Sequence, residues 1–131
     1  MRIVFNNDES YGLHPSADQV RLEIIRDVGH NETDKSRWWM IKNSDGSFSF
    51  QSYDGRNMKC PNSPSGTHTL TLTHPGTSIN QKFLVELISS SVPSYRIRCK
   101  ESGHASITST GFNANVNLQT NNYSVWFFGI A

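Results

Sequence analysis

The clearest pattern in the chain is the alternation of apolar and polar residues over positions 37–54. Trp39 and Ile41 stand two apart in one run, and Phe48 and Phe50 stand two apart in the next. Alternation with a period of two is typical of half-buried β-strands. An Asp-Gly pair between alternating runs is a strong turn signal. This stretch therefore predicts a β-hairpin with aromatic residues on one face.

Looser copies of the two strands of this hairpin follow later in the chain. Positions 83–88 and 95–98 alternate on either side of a longer turn, and positions 126–130 alternate again near the end. That last run has no later partner, so we expect it to pair with the opening run that contains Ile3 and Phe5. The first and last runs of the chain would then form one strand pair of the repeat. Pairing of the two ends of the chain predicts a sheet closed into a ring.

The spacing of these copies indicates three modules. Trp39, Phe83 and Trp126 recur at roughly 45 residues, within the range typical of repeated supersecondary units. Leu22, Leu70 and Leu118 recur at equal intervals, each within an alternating run. Propellers have a similar period but need about four blades. The pattern thus predicts an all-β fold, a β-trefoil of three pseudo-repeats with about four strands each. It forms a single domain over residues 1–131, with modules at about 2–47, 48–93 and 94–131.

Residues 17–28 are ambiguous from local signals alone. Ser16 followed by Gln19 resembles a helix capping box, whereas Val20, Leu22 and Ile24 alternate as in a strand. The repeat favours a strand, because Leu22 matches leucines in two runs that have no helical pattern.

A single module cannot bury its apolar face, so the three are expected to share one core. The aromatic and aliphatic residues of the alternating runs are its predicted members: Ile3, Phe5, Leu22, Trp39, Phe48, Phe50, Leu70, Phe83, Tyr95, Ile97, Leu118 and Trp126.

Composition limits the partners and the compartment. A net charge of +1 and a pI near 7.8 argue against nucleic-acid binding, which needs a clearly basic face. No stretch approaches the ~20 apolar residues of a membrane helix, and no secretion signal is recognisable. We therefore expect a cytoplasmic protein without membrane insertion, with a secreted mature form as the alternative. Two matches to the N-glycosylation pattern, at 31–33 and 122–124, are interpreted as chance.

The two cysteines do not form a disulfide framework by number alone. Cys60 and Cys99 are compatible with buried thiols or with one disulfide. Reduced thiols are the prediction.

The sequence contains no catalytic, metal-binding or cofactor-binding motif. The five histidines include no HExxH, and no cysteine pair stands at zinc spacing. Phosphate-binding loops and nucleophile elbows are absent from the sequence as well. Arg96, Arg98 and Lys100 form a short basic ladder that is interpreted as solvated surface. We predict no enzyme activity, no metal and no cofactor.

Ligand binding through loops is the remaining class of function, because closed β scaffolds carry their recognition residues on the connections between strands. Loops rich in Asn, Ser, Tyr and His suit sugars: polar side chains bond hydroxyl groups, and an aromatic face stacks on a pyranose ring. Three candidate sites result. They are Asn121, Asn122, Tyr123 and Trp126 before the last strand; Tyr53, Asp54, Arg56 and Asn57 in the second module; and Trp38, since Trp38 and Trp39 cannot both face inward.

On these features the chain resembles the ricin-B-like β-trefoils over its whole length. Their Gln-x-Trp motif is represented by Gln81-Lys82-Phe83. The chain looks most like small mushroom trefoils without signal peptides, which include lectins and mycocypin-type protease inhibitors. The run Asn121-Asn122-Tyr123-Ser124-Val125-Trp126 is similar to a sugar-contacting stretch in a fucose-recognising lectin of that group.

The resemblance implies a carbohydrate-binding lectin with a defensive role or a role as the targeting module of a toxin. Its partners would be glycans or glycoproteins, and a homodimer is compatible with this function. The alternative is a protease inhibitor that acts through protruding loops at 6–12 or 29–37. A signalling trefoil of the cytokine type is disfavoured, because no motif of those families is present.

Overall fold

The computed structural model describes residues 1–26, 28–29, 32–62 and 66–130, and its regular structure is almost entirely β. Asn31 of the first glycosylation pattern and part of the 29–37 loop lie outside the described residues. The strands are β1 (Arg2–Phe5), β2 (Tyr11–Ser16), β3 (Gln19–Ile24), β4 (Trp38–Lys42), β5 (Phe48–Ser52), β6 (Asn57–Lys59), β7 (Thr67–Thr69), β8 (Thr71–Thr73), β9 (Phe83–Ser89), β10 (Ser94–Cys99), β11 (Ser106–Thr108), β12 (Ala114–Asn115), β13 (Asn117–Gln119) and β14 (Trp126–Gly129). The described helical segments are two 3-10 turns, Ile79–Gln81 and Ser102–His104. Neither is long enough to cross a membrane.

Six strands close into a barrel. Strand β1 pairs with β14, β14 with β10, β10 with β9, β9 with β5, and β5 with β4. A bridge between Arg2 and Arg37 brings β4 back to β1. The predicted closure is confirmed, because Phe5 of the opening run lies opposite Trp126 of the closing run. Every sheet edge in this ring finds a partner over at least part of its length.

Three further hairpins cap one end of the barrel. They contact one another in a cycle, through β3 with β8, β7 with β13, and β12 with β3. The alternating run around Leu70 is divided at that residue into β7 and β8, because the two halves pair with different neighbours. Val116 divides the corresponding run of the third module in the same way.

The leucine repeat marks the centre of this cap. Leu22, Leu70 and Leu118 are all fully buried, at equivalent positions of the three modules. Residues 19–24 form a strand, as the repeat predicted against the helical alternative. The three-module pattern therefore gave the correct fold.

The prediction for the paired tryptophans was wrong. Trp38 is completely buried, whereas Trp39 is 53% exposed. In the hairpin, Met40 lies opposite Phe50, and Trp39 lies opposite Gln51. Directly opposed residues point to the same face of a sheet, so the face that carries Phe50 also carries Trp38. Trp38 belongs to the core, and its indole Nε1 donates to the Leu13 carbonyl at 2.9 Å.

The prediction of reduced thiols was also wrong. Cys60 follows β6 and Cys99 ends β10, and the two form a disulfide with Cα atoms 6.2 Å apart. Both residues are buried beside the core aromatics. The folded chain brings together two cysteines that are 39 residues apart in sequence, and it links the second module to the third.

Most other predicted core residues are buried. Phe5 packs on Trp126 with ring centroids 5.4 Å apart, and Phe50 meets Phe83 edge to face at 5.8 Å. Phe48 and Tyr95 are only partly buried, near the open end of the barrel.

Candidate functional site

The loop that leads into β14 presents an exposed aromatic ring. Tyr123 is 42% exposed, and the guanidinium carbon of Arg96 lies 4.5 Å from its ring centroid. The Nε of Arg96 donates to the Ser106 hydroxyl at 2.7 Å, which fixes the guanidinium. A cation over an aromatic face is attractive. Arg96 therefore holds one face of the Tyr123 ring and leaves part of the ring open to solvent.

The backbone around Tyr123 is anchored to β11 and the residue after it. Ser124 donates its amide to the Ile107 carbonyl at 3.3 Å and accepts from the Ser109 amide at 2.8 Å. Thr108 donates its hydroxyl to the Asn122 carbonyl at 3.3 Å. These bonds hold the loop on the rigid trefoil scaffold, which favours a preorganised binding surface.

Two amide side chains lie beside Tyr123 and are exposed. Asn122 uses its Oδ1 to accept from the Tyr123 amide at 2.9 Å, so its amide donors point elsewhere. The Asn121 side chain has no hydrogen-bond partner among the described residues. Together with Tyr123, they form what we call the Tyr123 surface: an aromatic ring flanked by two carboxamides.

Trp126 does not contribute to this surface. It is fully buried, and its Nε1 donates to the Ile107 carbonyl at 3.2 Å. Trp126 was predicted both as a core residue and as a ligand contact. The structure confirms the core position, and the buried ring contradicts the ligand contact. Trp38 is corrected in the same way, because its buried indole has no surface for a ligand.

The second predicted cluster separates into two parts. Asp54 forms an ion pair with Arg56 at 2.9 Å, and Arg56 also donates to the Ala17 carbonyl at 2.6 Å. Burial opposes the charge on Asp54, but hydrogen bonds from Ser52 and Arg56 outweigh it and hold the pKa of Asp54 below its usual value. Both charged groups are thus largely occupied by neighbours.

Asn57, the last member of that cluster, is buried. Its Nδ2 donates to Oε1 of Gln81 at 2.9 Å. Tyr53 is partly exposed in the turn after β5. The structure therefore brings Tyr53, Asp54 and Arg56 to the surface together but withdraws Asn57 into the interior.

Gln81 has a structural role that the sequence motif did not reveal. It is buried, its Oε1 also accepts from the Gly76 amide at 2.7 Å, and its Nε2 donates to the His74 carbonyl at 3.1 Å. This amide joins the 74–76 loop to β6. In the sequence, this residue stood out only as the glutamine of the Gln81-Lys82-Phe83 motif.

The basic ladder formed by β10 and the residue after it is engaged internally. Arg96 stacks on Tyr123, Arg98 pairs with Glu86, and Lys100 binds Asp45 at 2.6 Å. Since each cation already has a partner, the ladder does not form an open anion site.

Trp39 is an exposed aromatic residue that the sequence did not identify as a surface feature. The guanidinium carbon of Arg37 lies 5.6 Å from its ring centroid. The correct pairing of β4 with β5 would have identified it, because Trp39 opposes polar Gln51.

A groove of about 410 Å³ lies between β3 and the 32–35 segment. Side chains of both charges line it, including His14, Glu23, Arg26, Asp34 and Lys35.

No protein-family model matches the chain, and no curated protein matches it. Among solved structures, the chain is similar to a designed threefold symmetric protein, ThreeFoil, with 14% identity and a TM-score of 0.72 over 95% of this chain and 94% of that one. It is also similar to the BEL beta-trefoil, with 17% identity and a TM-score of 0.72 over 99% of this chain and 91% of that one. At such identities the similarity concerns architecture, and it agrees with the barrel, the cap and the three buried leucines. The chain has the β-trefoil fold.

Proposed function

We propose that this β-trefoil is a carbohydrate-binding protein and that the Tyr123 surface contacts the sugar. The observation that carries the proposal is the partly exposed Tyr123 ring, held by Arg96 and flanked by Asn121 and Asn122. An aromatic ring offers an apolar face and, in tyrosine, a polar end. Carboxamides both donate and accept hydrogen bonds. A pyranose has the matching features, an apolar face and a rim of hydroxyl groups.

The rest of the molecule is compatible with this function. The net charge of +1 suits a neutral partner. The Cys60–Cys99 disulfide is typical of an oxidising compartment, which favours a secreted form over the cytoplasmic one. Glycoproteins on cell surfaces would then be the partners.

A glycan array followed by calorimetric titration of the best ligand tests the proposal. Tyr123→Ala should weaken binding at least about tenfold, equivalent to about 1.4 kcal/mol, because the stacking face is lost. Tyr123→Phe should keep most of the affinity if the ring face provides the contact. Val92→Ala is the matched control, because Val92 is an exposed apolar residue on a different loop.

Two results would contradict the proposal. An array on which the protein binds no glycan would contradict the proposed carbohydrate-binding function. Unchanged affinity in Tyr123→Ala would remove the site. A blank array combined with inhibition of papain-like or trypsin-like proteases would favour the inhibitor alternative. No contact in the described residues specifically favours that alternative, since residues 6–12 form a compact turn with Tyr11 and Ser10 both bonded to Asp8.

A further inference from the structure

The outer face of the β4–β5 hairpin carries an exposed aromatic residue, Trp39, that is not part of the core. Trp39 is 53% exposed, while the neighbouring Trp38 fills the barrel. Tryptophan is strongly buried on average in folded proteins. A tryptophan that points from a strand toward solvent is therefore unusual.

The residues around Trp39 form a mixed polar and apolar surface. Gln51 lies directly opposite it, and Ile41, two positions along β4, is also exposed. Arg37, two positions before it, places its guanidinium carbon 5.6 Å from the indole centroid. We call these four residues the Trp39 face.

Charge distinguishes the Trp39 face from the Tyr123 surface. Arg37 is exposed, and it has no ion-pair partner within the described part of the chain. The nearest acidic group in sequence, Asp34, is already bound by Arg2 at 3.0 Å and by Ser36. Both arginines lie over an aromatic ring, but the Arg96 side chain also donates to Ser106, whereas the Arg37 side chain has no hydrogen bond to a described residue.

We propose that the Trp39 face is a second glycan-binding site, selective for sugars that carry a carboxylate or sulfate group. The pyranose ring would stack on Trp39, the anion would bind Arg37, and Gln51 would bond a hydroxyl group. A guanidinium presents donors that match a carboxylate or sulfate in a bidentate arrangement. This inference rests on the proposed carbohydrate-binding function and extends it from neutral to acidic ligands.

The test compares sialylated and sulfated oligosaccharides with their neutral parent sugars, by array and by titration. Trp39→Ala should weaken binding of the acidic sugars at least about tenfold, and Arg37→Gln should remove the preference for acidic over neutral sugars. Added salt should weaken acidic binding more than neutral binding, because it screens the charge. Tyr123→Ala should leave acidic binding at this face intact.

Matched controls separate binding from folding. Trp39→Ala should unfold at the same denaturant concentration as the parent protein, and Lys59→Gln should remove an exposed cation outside the face without changing acidic binding. Acidic sugars that bind no better than neutral ones, or that bind Trp39→Ala unchanged, would overturn this inference. Neutral binding that depends on Tyr123 would then still support the proposed function. If no sugar of either kind binds, both proposals fail.

Discussion

The segments that lead into β9 and β14 occupy the same place in their modules but are built differently. Both precede a barrel strand that begins with a buried aromatic residue, Phe83 in one and Trp126 in the other. Residues 78–82 turn a glutamine side chain into the interior, where it makes three hydrogen bonds. Residues 121–125 turn Tyr123 outward and anchor the loop through Ser124.

This difference separates a buried structural role from an exposed surface at one topological position. The first segment is surrounded by other constraints, since Cys60 donates its amide to the Asn80 carbonyl at 2.7 Å and its disulfide partner Cys99 pairs with Phe83. The second has fewer buried polar contacts and an exposed ring. Pseudo-symmetry thus allows one copy of a loop to stabilise the fold while another is free to contact a ligand.

Removal of the disulfide should have the largest effect on this contrast. Cys60→Ala combined with Cys99→Ala releases a loop of 39 residues. The chain-entropy relation gives a loss of about 4 kcal/mol in the free energy of unfolding. Urea denaturation of the variant and of the reduced parent protein checks this value.

Sugar binding at the Tyr123 surface should survive below the new unfolding midpoint, because the disulfide lies by the β9 segment. A loss of less than about 1 kcal/mol would contradict the structural role assigned to that segment.

Gln81→Ala should cost more stability than Ser124→Ala. The first change leaves the buried Asn57 amide and the Gly76 amide without their acceptor, and an unsatisfied buried group costs about 1–3 kcal/mol. The second removes one hydrogen bond to a partly exposed amide, a loss of about 1 kcal/mol. Urea denaturation of both variants measures the difference, and equal losses would show that the two segments are equivalent.

The fold was predictable because it depends on repeated alternation. The equal spacing of Leu22, Leu70 and Leu118, and the match of the closing run to the opening run, required only the order of residues. The same signals decided for strand at 19–24, where the local signals were ambiguous between helix and strand. The predictions were wrong where they depended on which residues of two strands lie opposite each other. Trp38 and Trp39 exchange roles with a one-residue change of register, which moves every side chain to the other face.

The candidate site was predictable only in outline. An exposed Tyr123 followed from the polar loop before the last strand, but the stacking of Arg96 depends on two segments that are distant in sequence. Asn57 was assigned to the surface, since the sequence did not show that Gln81 would draw it inward. The disulfide likewise depends on the spatial meeting of β6 and β10.

The smallest predicted effect concerns Asp45, which ties the β4–β5 turn to the β9 segment. Its carboxylate accepts from Lys100 at 2.6 Å, from Ser47 and from Lys82 at 3.3 Å. The hydrogen bond from Lys100, followed by those from Ser47, holds the pKa of Asp45 far below its usual value against some desolvation. Within the described residues, the corresponding turn of the next hairpin, at 90–93, has no ion pair with the β14 segment.

Because the pKa of Asp45 is lower in the folded than in the unfolded state, its contribution to stability is complete above the unfolded pKa, at about pH 4. It should decrease as the pH falls below that value. Asp45→Asn should therefore lower the urea midpoint slightly at pH 7 and flatten its decline below about pH 4. Asp18→Asn, an exposed carboxylate outside this cluster, is the control. An unchanged acid dependence in Asp45→Asn would mean that solvent screens the two lysines so well that the turn is no more firmly held than its counterpart beside β14.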